Sequence, residues 1–475
     1  MKLKNILFLF FFAISSIAIA QKKPNILMII VDDFGYHDVS YNGSQIHQTP
    51  AIDKLAETGI VFENGYSSYP RCTPSRYAMF TGTYPVNESK GFLGGIPKKQ
   101  NFIEQFNNAG YNTSYVGKWH IGENESSPQG FGFKQSYAAG KAGGVGSRFY
   151  PFNEKNGKKA KAIILDAEQD GKEGDYLSDL LTDATIDIIK NNEKEQPFFT
   201  VLAYYAVHTP IEAKKKDEER NKKEIAAFDY GDTPEYIKEG EGRRKMRQDD
   251  AAYAGMVENV DENIGRIMQQ LDAMGIADNT IVVLTSDHGG LSNDGSKGER
   301  HLATTNLPFK AGKGWLYEGG IRVPFIVNWN GVITPRVEKE SIVLGMDIIP
   351  TLLDLSLNKK MTAIDAKSFK NVIEGTETWK DRTVFWHSSK ARPYSTGDIK
   401  TSAVRAGDYK LVHFYEANKI ELYNLIEDEG ELRDLSKTNP KKTAALFKTL
   451  TDWKKAYLIP EKVKIYPPKN TKQKK

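Results

Sequence analysis

The chain has 475 residues, 27% of them charged and 39% hydrophobic, with a net charge of +4. These are ordinary globular values, with length enough for one large core and a smaller domain. Much of the basic excess sits at the ends, in Lys2, Lys4 and the tail Pro467–Lys475, which argues against a nucleic-acid-binding face, and the single cysteine excludes an internal disulfide.

Lys2 and Lys4 precede an apolar run from Ile6 to Ile17, and Ala18-Ile19-Ala20 before Gln21 fits a small-residue cleavage site. Residues 1–20 therefore read as a secretory signal peptide. An uncleaved anchor is the rival, disfavoured because the run is short and ends in the small-residue pattern. No later apolar stretch is long enough to span a bilayer, so an exported, periplasmic or secreted protein is expected. The lack of disulfides is compatible with a bacterial periplasm.

Asn25–Val31 is a continuous, β-branched-rich apolar run, the pattern of a strand buried on both faces in a parallel sheet. It ends in Asp32-Asp33. Two carboxylates at the end of a central strand are costly unless a cation binds them, and ligands of open α/β sheets collect at that edge, so metal ligation is preferred to a solvated turn. Thr49-Pro50 opens a helix with N-cap chemistry, with Ile52, Leu55 and Ala56 as its apolar face, and Gly59 ends it before the strand Ile60-Val61-Phe62.

Arg71-Cys72-Thr73-Pro74-Ser75-Arg76 follows. An unpaired cysteine is usually a small buried hydrophobe, but two arginines, a proline and a serine make this a polar address. With Pro74 in the first turn of a helix through Tyr77–Phe80, Cys72 falls at the helix N-terminus and shares a face with Arg76. That is how a reactive cysteine, or something made from one, is presented.

Phe102–Ala109 reads as a helix closed by Gly110, and Tyr111–Val116 as a strand ending in Gly117-Lys118-Trp119-His120, with Lys118 and His120 on one side by strand alternation. Asn124–Gly174 is a Gly-, Lys- and Asn-rich insertion over the sheet. Leu177, Leu180, Leu181, Ala184 and Ile188 mark an amphipathic helix, and Phe198–Tyr205 a buried strand running into His208. Lys214–Asp249 is a charged, partly helical excursion, and Tyr253–Met274 a long helix with a Met256, Val257, Val260, Ile264, Ile267, Leu271 stripe. Thr280–Thr285 is another apolar strand, leading to Ser286-Asp287-His288-Gly289-Gly290; Gly312-Lys313-Gly314 frees a lysine to reach an anion before the strand Phe325–Trp329. Beyond residue 360 short strands follow one another (Thr383–His387, Ala403–Arg405, Tyr409–Phe414, Ile420–Leu425) before a closing helix, Lys441–Tyr457. The expected fold is a doubly wound α/β sheet over residues 21–360 with a smaller antiparallel C-terminal subdomain over 361–475.

Cys72-Thr73-Pro74-Ser75-Arg76, with Thr81-Gly82 downstream, resembles the Cys-x-Pro-Ser-Arg sequence of the type I sulfatases. The resemblance covers nearly the whole mature chain. It implies an alkaline-phosphatase-like core and a cysteine oxidised to formylglycine by a formylglycine-generating enzyme. Carried over, Asp32, Asp33, Asp287, His288 and the oxidised Cys72 would bind a divalent cation, calcium by family habit, while Arg76, Lys118, His120, His208 and Lys313 would surround the sulfate. His288 departs from the more usual asparagine, which leaves magnesium or manganese less excluded. In the implied mechanism the hydrated aldehyde attacks sulfur, His208 or Lys313 protonates the leaving oxygen, and His120 deprotonates the second hydroxyl to release sulfate.

The implied substrate is a sulfated carbohydrate, an oligosaccharide cut at or near a chain end, with Trp119, Trp315, Tyr317 and Arg322 as candidate sugar contacts and Trp119 and Tyr317 equally readable as core. The rivals are a phosphatase or phosphonate monoester hydrolase of the same superfamily, and a non-catalytic glycan-binding relative, which would be expected to have lost Cys72, His120 or Lys313. A cytosolic redox thiol protein conflicts with the signal peptide.

Overall fold

The computed structural model describes residues 22–86, 101–155, 158–159, 164–362 and 364–459; the expected signal peptide and the basic tail lie outside the described residues. Among the described residues, eight strands form the main sheet: β1 (Asn25–Val31), β2 (Ile60–Phe62), β3 (Asn112–Gly117), β4 (Gln135–Tyr137), β5 (Phe198–Tyr204), β6 (Thr280–Ser286), β7 (Phe325–Asn328) and β8 (Arg336–Glu338). Their spatial order is β8-β2-β7-β6-β1-β5-β3-β4. The apolar runs occupy its middle, with every residue of β1, β5 and β6 buried.

Period-two alternation sends successive side chains of β1 to opposite layers. Leu27, Ile29 and Val31 join Leu181 of α4 (Leu177–Lys190) and Val257, Val260 and Ile264 of α6 (Ala251–Ala273), the fourth and sixth of the helices used here. Ile26, Met28 and Ile30 join Met79 and Phe80 of α2 (Cys72–Thr81), Phe102 and Phe106 of α3 (Phe102–Asn108), and Ile349 and Leu352 of α7 (Ile348–Leu357). The remaining helices are α1 (Pro50–Glu57), α5 (Lys215–Ala227) and α8 (Pro440–Ala456).

Direction within the sheet places the chemistry. β1 runs parallel to both β5 and β6, and β3 parallel to β5. The C-terminal ends of these strands therefore share one edge, which carries Asp32 and Asp33, Lys118 and His120, His208, and Asp287 and His288. Backbone bonds stitch the edge: Asp32 N–H donates to Ala206 O (3.0 Å), Val207 N–H to Asp32 O (2.8 Å) and Lys118 N–H to Ala203 O (2.8 Å).

The sheet is mixed, because β7 pairs antiparallel with both β6 and β2. Four local expectations are corrected. The Asn124–Gly174 insertion is not simply laid over the sheet, since its segment Gln135–Tyr137 pairs with β3 as the edge strand. The Lys214–Asp249 excursion contains, after α5, a hairpin of Tyr236–Glu239 and Gly242–Lys245 with Lys245 buried between Glu235 and Asp249. On α4 the buried face is Leu177, Leu181, Thr185 and Ile189 with Ser178 and Thr182 beside them, while Leu180, Ala184 and Ile188 are only half-buried. The threonines are admitted because Thr182 Oγ1 bonds to Ser178 O and Tyr204 and Thr185 Oγ1 to Leu181 O. Finally, Thr49 makes no side-chain cap on α1; its hydroxyl meets Asp53, and the free Ala51 and Ile52 N–H groups donate instead to the Asp261 carboxylate at 3.1 and 2.7 Å.

Strands β9 (Thr383–Ser388), β10 (Thr401–Ala406), β11 (Tyr409–Phe414) and β12 (Lys419–Asn424) form an antiparallel sheet in that order. One face (Val384, Trp386, Ala403, Val412, Tyr423) packs on Tyr66, Leu316 and Leu344 of the larger part, and the other (Val404, Leu411, Leu422) on Leu446, Leu450 and Trp453 of α8. Buried Lys410 pairs with Glu318 (2.8 Å) and Glu431 (2.9 Å) across the join.

Candidate active site

Cys72 is the first residue of α2, following the extended Arg71. Arg71 is itself tied down, its guanidinium donating to Lys390 O at 2.7 Å and to the Asp398 carboxylate. The Cys72 side chain is 5% exposed, with Sγ 3.2 Å from His288 Nε2 and His120 beside it in the cleft wall. Burial opposes a thiolate, yet Lys118, Lys313 and His288 outweigh it and hold the thiol well below the usual range.

Asp32, Asp33 and Asp287 are all buried beside it. Ligating atoms of Asp32, Cys72, Asp287 and His288 lie within 4.8 Å of one another, as do those of Asp33, Cys72 and His208. Lys118 Nζ donates to Asp32, Lys313 Nζ donates to both Asp33 oxygens (2.6 and 2.8 Å), and Arg76 Nε donates to Asp287 Oδ2 (2.8 Å). His288 Nδ1 faces Gly289 O at 3.0 Å, which leaves Nε2 toward Cys72, Asp33 (3.2 Å) and Asp287 (3.7 Å). Burial disfavours a charged His288, but Asp287, Cys72 and Asp33 reverse the sign and raise it to about 9. Burial and then Lys313 act the other way on His208, lowering it to about 3, so it is neutral.

A hard divalent cation fits this set. Asp32 Oδ1 is buried without a hydrogen-bond partner among the described residues, Asp287 Oδ1 accepts only a long 3.3 Å bond from Asp33 N–H, and the potential that favours a charged His288 favours any cation there.

Beyond the cluster opens a cleft of ≈ 330 Å³ whose walls include Cys72, His120, His208 and Lys313. Lys118 and Arg76, expected around the sulfate, stand behind it. Both are fully buried, with Arg76 bridging Asp287 and Lys118 O. Strand alternation did not deliver Lys118 and His120 either. The chain breaks from β3 at Gly117 (φ 91°), where a Cβ would lie 2.0 Å from Ala203 O, and His120 is left-handed (φ 57°).

Arg322 is not brought to the cleft; it donates to Glu63 O (2.7 Å) and lies over Tyr36 and Phe309. Trp119 is fully buried among Phe80, Tyr115 and Phe131, Tyr317 donates to Glu421, and Trp315 donates to Thr396 O, so none of the three aromatics lines the cleft. Sequence reasoning missed Arg71, Arg300, Lys390, Arg392, Ser395 and Thr396, which do line it. Only Arg71, beside the cysteine, carried a local signal.

A mixed α/β sheet with carboxylates and lysines clustered behind a cation-lined cleft has the groups that hydrolysis of a charged ester needs. The sulfatase family model matches residues 24–358, and the C-terminal model of N-sulphoglucosamine sulphohydrolase matches 311–456. A sulfatase of Formosa agariphila is 30% identical over 521 residues, covering 93% of this chain and 89% of that one. Human N-acetylgalactosamine-6-sulfatase is 29% identical over 364 residues, 71% of this chain and 63% of its own. The crystal structure of Ps i-CgsB in complex with k-i-k-neocarrahexaose superposes with a TM-score of 0.72 at 29% identity, over 91% of this chain and 93% of that one. The chain belongs to the sulfatase family, the sulfuric ester hydrolases. No helix among the described residues is long and apolar enough to cross a membrane.

Proposed function

We propose that the chain hydrolyses sulfate esters of carbohydrates, oligosaccharides derived from sulfated polysaccharides, through a formylglycine made from Cys72 by a formylglycine-generating enzyme. The observation that carries this is the position of Cys72, a buried helix-start thiol between a carboxylate cluster and a lysine-lined cleft. The oligosaccharide in its name for Ps i-CgsB and the sugar sulfate in that of the human relative support the substrate class. The exported, periplasmic location and the division into a 21–360 catalytic part and a 361–475 subdomain belong to the same proposal.

Asp32, Asp33, Asp287, His288 and the modified residue 72 would hold the cation, calcium before magnesium or manganese, which neutralises charge on the sulfate. A hydrated formylglycine supplies two hydroxyls on one carbon, a nucleophile for sulfur and an exit by which sulfate leaves and the aldehyde returns. Lys313 and His208, in the cleft wall, donate to the ester's oxygens, and Lys313, held charged beside Asp33, is the one of the two with a proton to deliver to the departing alkoxide. Lys118 and Arg76 act from behind, fixing Asp32 and Asp287. His120, touching residue 72 and held neutral by burial, takes the proton of the second hydroxyl.

Sulfate release is to be compared across sulfated mono- and oligosaccharides, intact polymer, an aryl sulfate and an aryl phosphate. Faster turnover of the aryl phosphate than of every sulfated glycan would refute the assignment, while preference for polymer would refute only action near chain ends.

His120 is held in place by Gly143. A Cβ there would lie 2.3 Å from His120 Cε1 and 2.6 Å from Nε2, and the backbone of Gly143 is not left-handed, so alanine costs the chain nothing but that contact. Gly143→Ala is expected to displace the imidazole and lower kcat about 100-fold with Tm nearly constant. An unchanged kcat would remove His120 from the mechanism as drawn.

A further inference from the structure

The inner cluster is close to balanced: Lys118 answers Asp32, Lys313 answers Asp33 and Arg76 answers Asp287. Arg71, at the cleft wall, is answered by Asp398. Three further cations line the same cleft, Arg300, Lys390 and Arg392, and among the described residues none of their side chains makes a hydrogen bond or ion pair. Isolated surface cations are commonly solvated in this way. Here three from two distant segments converge on one opening, beside a site built for an anion, and none has a carboxylate of its own.

The wall that presents Lys390 and Arg392 is fixed before any ligand arrives. Arg392 N–H donates to Asp398 O (3.1 Å), Ser395 N–H to Arg392 O (3.0 Å), Gly295 N–H to Ser395 O (3.1 Å) and Trp315 Nε1 to Thr396 O (2.9 Å). Asp398 also accepts from Arg71 and Thr396. A pinned loop loses little freedom on binding, which favours its charges as ligand contacts. Burial first and then the neighbouring Arg71 charge disfavour the Arg392 charge, and Asp398 and Cys72 offset them only in part.

A sulfate monoester brings one negative charge, and the inner site takes it. We infer that Arg300, Lys390 and Arg392 form a second-anion subsite at the cleft mouth, so that the preferred substrate carries a further sulfate or carboxylate close to the sulfate that is removed. The inference rests on the carbohydrate sulfatase reading and narrows it: a cleft of ≈ 330 Å³ places that second group on the same sugar or on its neighbour. Guanidinium groups pair with sulfate and carboxylate alike through parallel N–H donors, so the chemistry shared by the two sources is a planar or tetrahedral oxyanion.

The test is calorimetric binding to the full-length chain carrying Cys72→Ala, which turns no ligand over, with and without the triple substitution R300A/K390A/R392A and with R392K alone. Four ligands are compared: a neutral disaccharide with one sulfate, the same sugar with two, a monosulfated uronate-containing disaccharide, and its methyl ester. The triple variant is expected to weaken a two-anion ligand at least tenfold and the one-sulfate ligands less than threefold, with R392K between; the contrast is expected to shrink at high salt. Loss confined to the disulfated sugar assigns sulfate as the second group, and loss confined to the uronate assigns carboxylate. An equal change for all four ligands, or none, overturns the subsite. Binding is read without turnover, so a preference for two-anion ligands here, with no sulfate released from any of them by the chain that keeps Cys72, would refute the enzymatic reading and leave the subsite standing.

Discussion

Cys72→Ala is expected to lower sulfate release by about 10,000-fold or more, while moving the unfolding transition little. The side chain is small, and alanine fills most of its volume at the first turn of α2, whose closing Gly82 is untouched. What is lost is the reactive group that His120, Lys313 and His208 surround. Cys72→Ser is the sharper variant: it restores one hydroxyl but not two on the same carbon, so it is expected to fail at turnover as alanine does, with any transferred sulfate trapped on the serine. Mass spectrometry of the residue-72 peptide, from a host that carries a formylglycine-generating enzyme, should show aldehyde in place of thiol. Fully active protein with an unmodified cysteine would sink the mechanism.

Chelation is the second large effect. Three buried carboxylates lie together, and among the described residues Asp32 Oδ1 has no hydrogen bond, only the Arg76 guanidinium at 3.8 Å. An ion that binds only the folded chain stabilises it by about 2.7 kcal/mol at a hundred times its Kd. EDTA is therefore expected to lower activity and Tm together, with calcium restoring both. Asp287→Ala should do more, since it also leaves the Arg76 guanidinium buried without its carboxylate, a loss of about 3–5 kcal/mol. Asp287→Asn keeps an acceptor for Arg76 and separates the two effects: its fold should survive while metal content, read by elemental analysis, falls. Two tightly bound zinc ions, or indifference to EDTA, would overturn the one-cation reading.

Much of this was legible in the sequence because buried parallel strands are written as unbroken apolar runs, and each run stops at a polar group that a sheet edge must explain. Asn25–Val31, Phe198–Tyr204 and Thr280–Ser286 announced themselves and their terminal residues in this way. Direction is not written in such a run, so the antiparallel β7 read like its neighbours. The edge strand Gln135–Tyr137 is half-exposed and polar, and carries no apolar signal. The α1 cap could not be seen because Asp261 lies 210 residues away. At the site, residue identity was readable and orientation was not: nothing local says that Lys118 turns to Asp32 rather than to the cleft, or that a polar loop near residue 392 closes it.

The tie between Arg71 and Asp398 also orders events in time. It joins residues 327 apart, and it fastens the loop that walls the cleft to the residue immediately before Cys72. An enzyme that oxidises the thiol must take it into its own active site, and in the finished fold the thiol is 5% exposed with Lys390, Arg392 and Thr396 across the opening. If Cys72 is converted to formylglycine as proposed, that oxidation would belong to the unfinished chain, ahead of the docking of the loop that carries Asp398. Protein folded without the oxidising enzyme is then committed: adding that enzyme afterwards should leave it inactive, and unfolding followed by refolding in the enzyme's presence should not.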